Sequence, residues 1–141
     1  MDAFDADVLI YAAVPDHPLG RRVRALFDDE GPAVTGSVAG VGSVLLLPEL
    51  LTKPTRDGAP DEVAALVALL ARLDLRPVDE QIATLATSLG ATYGLRAADA
   101  VHLATAVAYG ADRFITNNSA DFPTTIAEID VTYPDQLPDL G

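Results

Sequence analysis

The first apolar run, Val8–Val14 (VLIYAAV), is too long and continuous for a surface loop. It reads as a helix, with Asp7 as the cap whose side chain meets the free N–H groups. A short strand over residues 1–5 precedes it, with Phe4 its bulky apolar residue and Asp5 at its exit. Pro15-Asp16-His17-Pro18 breaks the run. Leu19–Phe27 then resumes a helix, with Val23, Leu26 and Phe27 inward and Arg21, Arg22 and Arg24 on the outer faces. Gly31-Pro32 opens a second unit, whose strand lies somewhere in Ala33–Ser43. Leu45–Leu51 reads as helix, and Pro48 is tolerable only in its first turn, which places Glu49 there too. Thr52–Ala59 (TKPTRDGA) reads as a loop. Pro60 starts the next helix, with Asp61 and Glu62 at its positive end and an apolar stripe over Val63–Leu73.

Leu75–Val78 reads as a short strand, and Asp79 caps a helix running through Leu89 that Gly90 ends. Residues 96–109 form an Ala-rich helix carrying a single carboxylate, Asp99, near its start, closed by Gly110. A buried strand at Arg113–Thr116 empties into Asn117, Asn118, Ser119 and Asp121. Ile126–Tyr133 reads as a last, edge-like strand before a Pro-rich tail. Strands alternating with helices imply an α/β fold with a parallel sheet covered on both faces. With no repeat, linker or low-complexity stretch, residues 1–141 read as a single domain.

Composition narrows the chemistry. Half the residues are apolar, which excludes a disordered chain. There is no cysteine, so disulfides and thiolate metal sites are excluded, which suits a reducing cytoplasm. The acidic start, MDAFDAD, is unlike a signal peptide, and the apolar runs fall short of a membrane span, so a soluble protein with no membrane partner is expected. The 21 acids against 9 Lys and Arg give a net charge of −12. Such a charge repels nucleic acid rather than steering it in. It leaves room for an enzyme that meets phosphate through divalent cations and a few local arginines.

Four acids then fall at element ends: Asp5 after the first strand, Glu49 and Asp99 in first helical turns, and Asp121 after a late strand. In an open α/β sheet, ligands sit outside the carboxyl ends of the strands. Any one of these acids has a plain explanation, because helix starts favour acids and loop acids are solvated. Four in apolar surroundings are different. Clustered carboxylates repel and raise one another's pKa values unless a cation joins them. Hard cations such as Mg²⁺ take oxygen ligands, and a pair of them can serve both oxygens in phosphodiester cleavage. Metal-assisted phosphodiester hydrolysis is the chemistry this pattern suits.

The segments DADVLIYAA, PELL, GLRAADAVHLATAVAYGA and FITNNSADF, in this order, resemble the signature segments of PIN-domain ribonucleases, above all the VapC-like toxins of toxin–antitoxin pairs. The resemblance implies a three-layer α/β/α sandwich with a central, mainly parallel sheet. It implies a Mg²⁺- or Mn²⁺-dependent RNA endonuclease, a cognate antitoxin that occludes the acidic groove, and a homodimer. Asp5, Glu49 and Asp99 match the family's first three acids. Ala6 stands where a hydroxyl residue is usual, Asp7 where Asn is common, and Asn118 where many members have an acid. The fourth ligand is thus either Asp121, or Asn118 with Asp121 behind it.

Other residues receive lesser roles. Thr116 is a candidate to orient an acid, and Arg96 to neutralise one or touch phosphate. His102, one turn from Asp99 on the same side, is expected to pack or cap. Arg21, Arg22, Arg24, Lys53 and Arg56 are candidates for an RNA-facing rim. GSVAGVGS at 36–43 lacks the Lys of a phosphate loop and reads as a strand with its turns. Two alternatives stand beside the nuclease. One is a PIN-like partner-binding protein with impaired catalysis, for which Asn118 and the charge of −12 argue. The other is a haloacid-dehalogenase-like phosphatase built on Asp5-Ala6-Asp7, for which Lys53 is the only available lysine.

Overall fold

Three residues near the amino terminus, Asp2–Phe4, form the central strand β1 of the computed structural model, which describes residues 1–28 and 38–139. β1 leads into helices α1 (Ala6–Ala13) and α2 (Pro18–Asp28), then β2 (Gly40–Ser43), α3 (Leu46–Arg56), α4 (Pro60–Leu70) and β3 (Leu73–Arg76). The chain continues through α5 (Glu80–Tyr93), α6 (Ala97–Ala108), β4 (Arg113–Ile115) and β5 (Asp130–Thr132) to a 3₁₀ turn at Pro134–Gln136. The strand order is β3-β2-β1-β4-β5, and every neighbouring pair is parallel. After β1 the chain builds the sheet to one side. It then crosses over through α5 and α6 and builds β4 and β5 on the other. The reversal falls between β1 and β4, and such a switch point opens a crevice at the carboxyl ends of the two strands.

Alternation along the short strands divides the core. Ala3, Val41 and Phe114 face a cluster containing Ile82, Leu89, Leu103 and Phe122, from α5, α6 and the loop after β4. Phe4 and Ile115 face the opposite way, into Val8, Leu9, Val23, Phe27, Leu46, Leu50 and Leu66 of α1–α4. Helices thus cover both faces, giving the expected three-layer α/β/α sandwich. At the amino end of the central pair, Arg113 clasps Asp2 with two bonds, Nε to Oδ1 at 2.9 Å and an Nη to Oδ2 at 3.0 Å.

Several boundaries differ from expectation. Asp5, not Asp7, is the cap of α1, and its Oδ1 accepts from the N–H of Ala6. The stretch 52–56, expected in a loop, continues α3. Leu50 and Pro54, one turn apart, are both buried, and Lys53 bonds Asp57 across the next turn at 2.9 Å, so Pro54 is carried inside the helix. α5 runs past Gly90 to Gly94, which takes the left-handed conformation that ends helices (φ 67°). Gly90 is instead a contact point, since a Cβ there would lie 3.5 Å from that of Ala100 on α6. β3 starts and stops two residues early, because Pro77 has no N–H for the ladder. The last strand shrinks to three residues. Ile126 and Ile129 are apolar because they pack in the cluster with Phe122, not because they pair. Residues 33–37 of the expected second strand lie outside the described residues, as does Gly31-Pro32.

α1 and α2 cross at Gly20, where an added Cβ would stand 2.0 Å from the carbonyl oxygen of Tyr11. Backbone, not a movable side chain, occupies that space. Gly20→Ala is therefore expected to destabilise the fold by about 1–3 kcal/mol through overpacking. A urea denaturation midpoint unchanged from wild type would contradict this contact.

Candidate active site

Asp5 follows β1 directly, and its N–H donates to the carbonyl of Ile115, extending the parallel pairing by one residue. That bond carries its side chain to the crevice between β1 and β4, where only 6% of the residue is exposed. Oδ1 accepts from Ala6 and Oδ2 accepts from the hydroxyl of Thr116, each at 2.8 Å. Thr116 therefore orients an acid, as its place after β4 suggested. Both carboxylate oxygens keep acceptor capacity toward the crevice. Burial pushes the Asp5 carboxyl up, and Thr116 and then His102 pull it back.

The other expected acids arrive from three further elements. Asp99 sits in the first turn of α6, partly buried. Burial first, then the charges of Asp5 and Asp121, raise its pKa, with Glu49 adding to the effect. Glu49 lies in the first turn of α3 and meets the Nε2 of His102 at 2.8 Å. Asp121 lies in the loop after β4, where Asn118 binds it twice. The Asn118 side-chain amide donates to Asp121 Oδ2 at 2.8 Å, and the Asp121 N–H donates to Asn118 Oδ1 at 3.2 Å. Asp5, Glu49, Asp99 and Asp121 thus share one electrostatic neighbourhood, while both ends of the Asn118 amide are engaged within its own loop.

A fifth acid belongs to the neighbourhood, and its assignment as a helix cap had hidden it. Asp7 reaches across to the β4 loop and accepts from the N–H of Asn117 at 3.1 Å. Its Oδ1 is buried without a hydrogen-bond partner among the described residues. Burial, then the nearby charge of Asp5, lifts its pKa from 3.8 to about 6. The spacing of two from Asp5 was the only available signal. Beside it, the Tyr11 hydroxyl accepts from the Asn117 side chain at 3.3 Å, and the Tyr11 ring stacks on His17 with centroids 4.3 Å apart.

The expected basic rim is occupied otherwise. Arg22 donates to the carbonyls of Asp135 and Leu137, tying the carboxyl-terminal tail to α2. Arg24 donates to the carbonyls of Ala12 and Pro15 at the end of α1. Arg21 lies 3.8 Å from Asp139, and Lys53 and Arg56 both pair with Asp57.

A model of the PIN domain matches residues 3–125, a span that contains Asp5, Asp7, Glu49, Asp99 and Asp121. The chain belongs to the PIN-domain family. No curated protein matches it. Among solved structures, it is similar to a toxin–antitoxin complex from Klebsiella pneumoniae, at 22% identity and TM-score 0.69, covering 95% of this chain and 98% of that one. It is also similar to DNA-bound VapBC from Salmonella typhimurium, at 19% identity and TM-score 0.70, with coverage of 94% and 97%. VapBC2 from Rickettsia felis, bound to a promoter DNA fragment, aligns at 15% identity and TM-score 0.67, with coverage of 94% and 97%. At these identities the likeness is one of fold, and it covers nearly the whole PIN domain.

The donor set suits a hard cation: it is all oxygen, and its members raise one another's pKa values. Among the described residues, no three His, Asp or Glu side chains already stand as a finished coordination shell.

The pKa shifts give a signed prediction for the metal-free PIN domain. A carboxyl whose pKa is raised on folding contributes stability below its unfolded value that is lost as pH rises through the folded one. For Asp7 that window runs from 3.8 to about 6, and Asp5 and Asp99 act in the same direction. Asp7→Asn keeps the acceptor for Asn117 and removes the charge. In EDTA it is expected to be more stable than wild type at pH 7 by about 1–2 kcal/mol, with the gap closing toward pH 4. Urea melts at both pH values check this, and parallel pH profiles would refute it.

Proposed function

We propose that this PIN domain is a divalent-metal-dependent endoribonuclease and the toxin of a toxin–antitoxin pair. The observation that carries the reading is that acids from four separate elements of a PIN fold, Asp5, Glu49, Asp99 and Asp121, lie close enough to act on one another's charge. Asp5 and Asp99 would hold a Mg²⁺ or Mn²⁺ ion, with Glu49 and Asp121 completing the cluster. Asp121 is the fourth ligand in preference to Asn118, whose amide is engaged in shaping the loop around it. When bound, the ion would supply charge stabilisation at the phosphate and help generate a nucleophile from water.

The chain's own residues prepare the site. Thr116 and the N–H of Ala6 fix the Asp5 carboxylate, so little rearrangement remains when a phosphodiester enters. Asp99 is less enclosed and can adjust. Arg96, at the cap of α6 three residues before Asp99, would meet a substrate phosphate. The antitoxin as partner is supported by the toxin–antitoxin complexes among the fold neighbours; RNA as substrate and a homodimer rest on the family resemblance. Among the described residues no helix is long and apolar enough to cross a membrane.

The phosphatase alternative lacks its lysine, because Lys53 stands on the exposed side of α3 in a pair with Asp57. The partner-binding alternative is weakened by Asp99, whose pKa is raised by burial and by the charges of Asp5 and Asp121, a cost that brings a scaffold nothing in return.

The test is RNA cleavage with Mg²⁺ or Mn²⁺ by wild type and by Asp99→Asn. Wild type is expected to cleave, and the variant to lose at least about 100-fold in rate, the scale of deleting one transition-state charge contact. Equal cleavage by both proteins, or cleavage that persists in excess EDTA, would sink the mechanism.

A further inference from the structure

His102 is 3% exposed, on α6 between the apolar neighbours Val101 and Leu103. Its Nε2 meets Glu49 Oε1 at 2.8 Å, and its Nδ1 is buried with no hydrogen-bond partner among the described residues. An ionised carboxylate can only accept, so Nε2 carries the hydrogen and donates. Nδ1 then goes unpaired in the interior, which disfavours the fold. A leucine or methionine would fill the same space without that penalty. Packing alone therefore does not account for an imidazole here.

The pair also joins parts of the molecule that otherwise pack separately. Glu49 belongs to α3, whose Leu46 and Leu50 lie in the core under α1–α4. His102 belongs to α6, whose Ala100, Leu103 and Ala104 lie in the core on the opposite face of the sheet. The bond spans 53 residues of sequence and reaches the neighbourhood of Asp5 and Asp99, whose electrostatic surroundings include both partners. Glu49 is the longest and most flexible of the four acids, its side chain is 33% exposed, and α3 has no side-chain cap to fix its first turn. Left alone, that carboxylate would sample solvent.

We propose that His102 is a positioning residue: it donates from Nε2 to Glu49 and holds that carboxylate facing Asp5 and Asp99, so that cation affinity depends on an imidazole that never touches the cation. The proposal rests on the reading of Glu49 as a cation ligand. Partners that orient a ligand in this way typically alter metal affinity by 10–100-fold when removed.

The experiment measures Mn²⁺ binding to the isolated protein by calorimetry or by electron paramagnetic resonance, without RNA. His102→Leu is expected to weaken binding about tenfold while leaving the thermal midpoint at or above wild type. His102→Met, which also lacks a donor, carries the same expectation should the leucine variant not fold. His102→Gln, whose amide can donate to Glu49, is expected to keep most of the affinity. On a Glu49→Ala background, His102→Leu is expected to cause no further loss, because the group it positions is gone. Wild-type affinity in His102→Leu or His102→Met overturns the proposal. So does an equal loss in the Gln variant, or the same factor lost with and without Glu49. A wild-type protein that binds no Mn²⁺ at millimolar concentration overturns the metal-site reading itself; binding that is insensitive to residue 102 overturns only the role of His102.

Discussion

A carboxylate buried at the end of the central strand is the constraint on which the rest of this structure depends. Asp5 sits where β1 stops, and water is largely excluded there. An ionised group in that position is tolerated only if donors meet it. The donors come from two directions: the first N–H of α1 and the hydroxyl that follows β4. Meeting the first requirement fixes the angle at which α1 leaves the sheet. Meeting the second fixes the register of β4 against β1, which places the loop carrying Asn118 and Asp121. One polar contact set thus couples the sheet's topology to the composition of the crevice.

The same constraint explains what was legible in the sequence. The α/β alternation was readable because helices over Val8–Val14, Leu19–Phe27 and 96–109 have strong apolar patterns, and the layers follow from them. Asp5, Glu49, Asp99 and Asp121 were recognisable as acids at element ends, and all four reach one neighbourhood. Their roles still rest on the proposal made for the site. Boundaries were harder, because local propensity lost to packing. Pro54 is carried through α3 since its ring is buried beside Leu50, and Gly90 stays helical since α6 presses against it.

Long-range partners were the least legible. Nothing within a few residues of Asp7 shows that its carboxylate bonds Asn117, more than a hundred residues away. The Glu49–His102 pair was hidden for the same reason: a histidine on an Ala-rich helix reads as packing until the facing helix is known. The apolar run starting at Val8 pointed to Asp7 as the cap, yet α1 begins earlier and is capped by Asp5, where the strand ends. In each case the missing information was which elements face one another, which only topology supplies.

The arginines described above have a consequence for how anything charged reaches this molecule. Arg113 neutralises Asp2 at one end of the central strands, while Arg22 and Arg24 grip backbone carbonyls. Among the described residues, Asp5, Asp99 and Asp121 at the carboxyl end of the same strands form no ion pair with Arg or Lys, in a chain whose net charge is −12. A polyanion drifting toward that end meets its own sign until small cations have gathered there. For the nuclease proposed above, this charge layout would set an order of arrival, with the cation first and the polymer second.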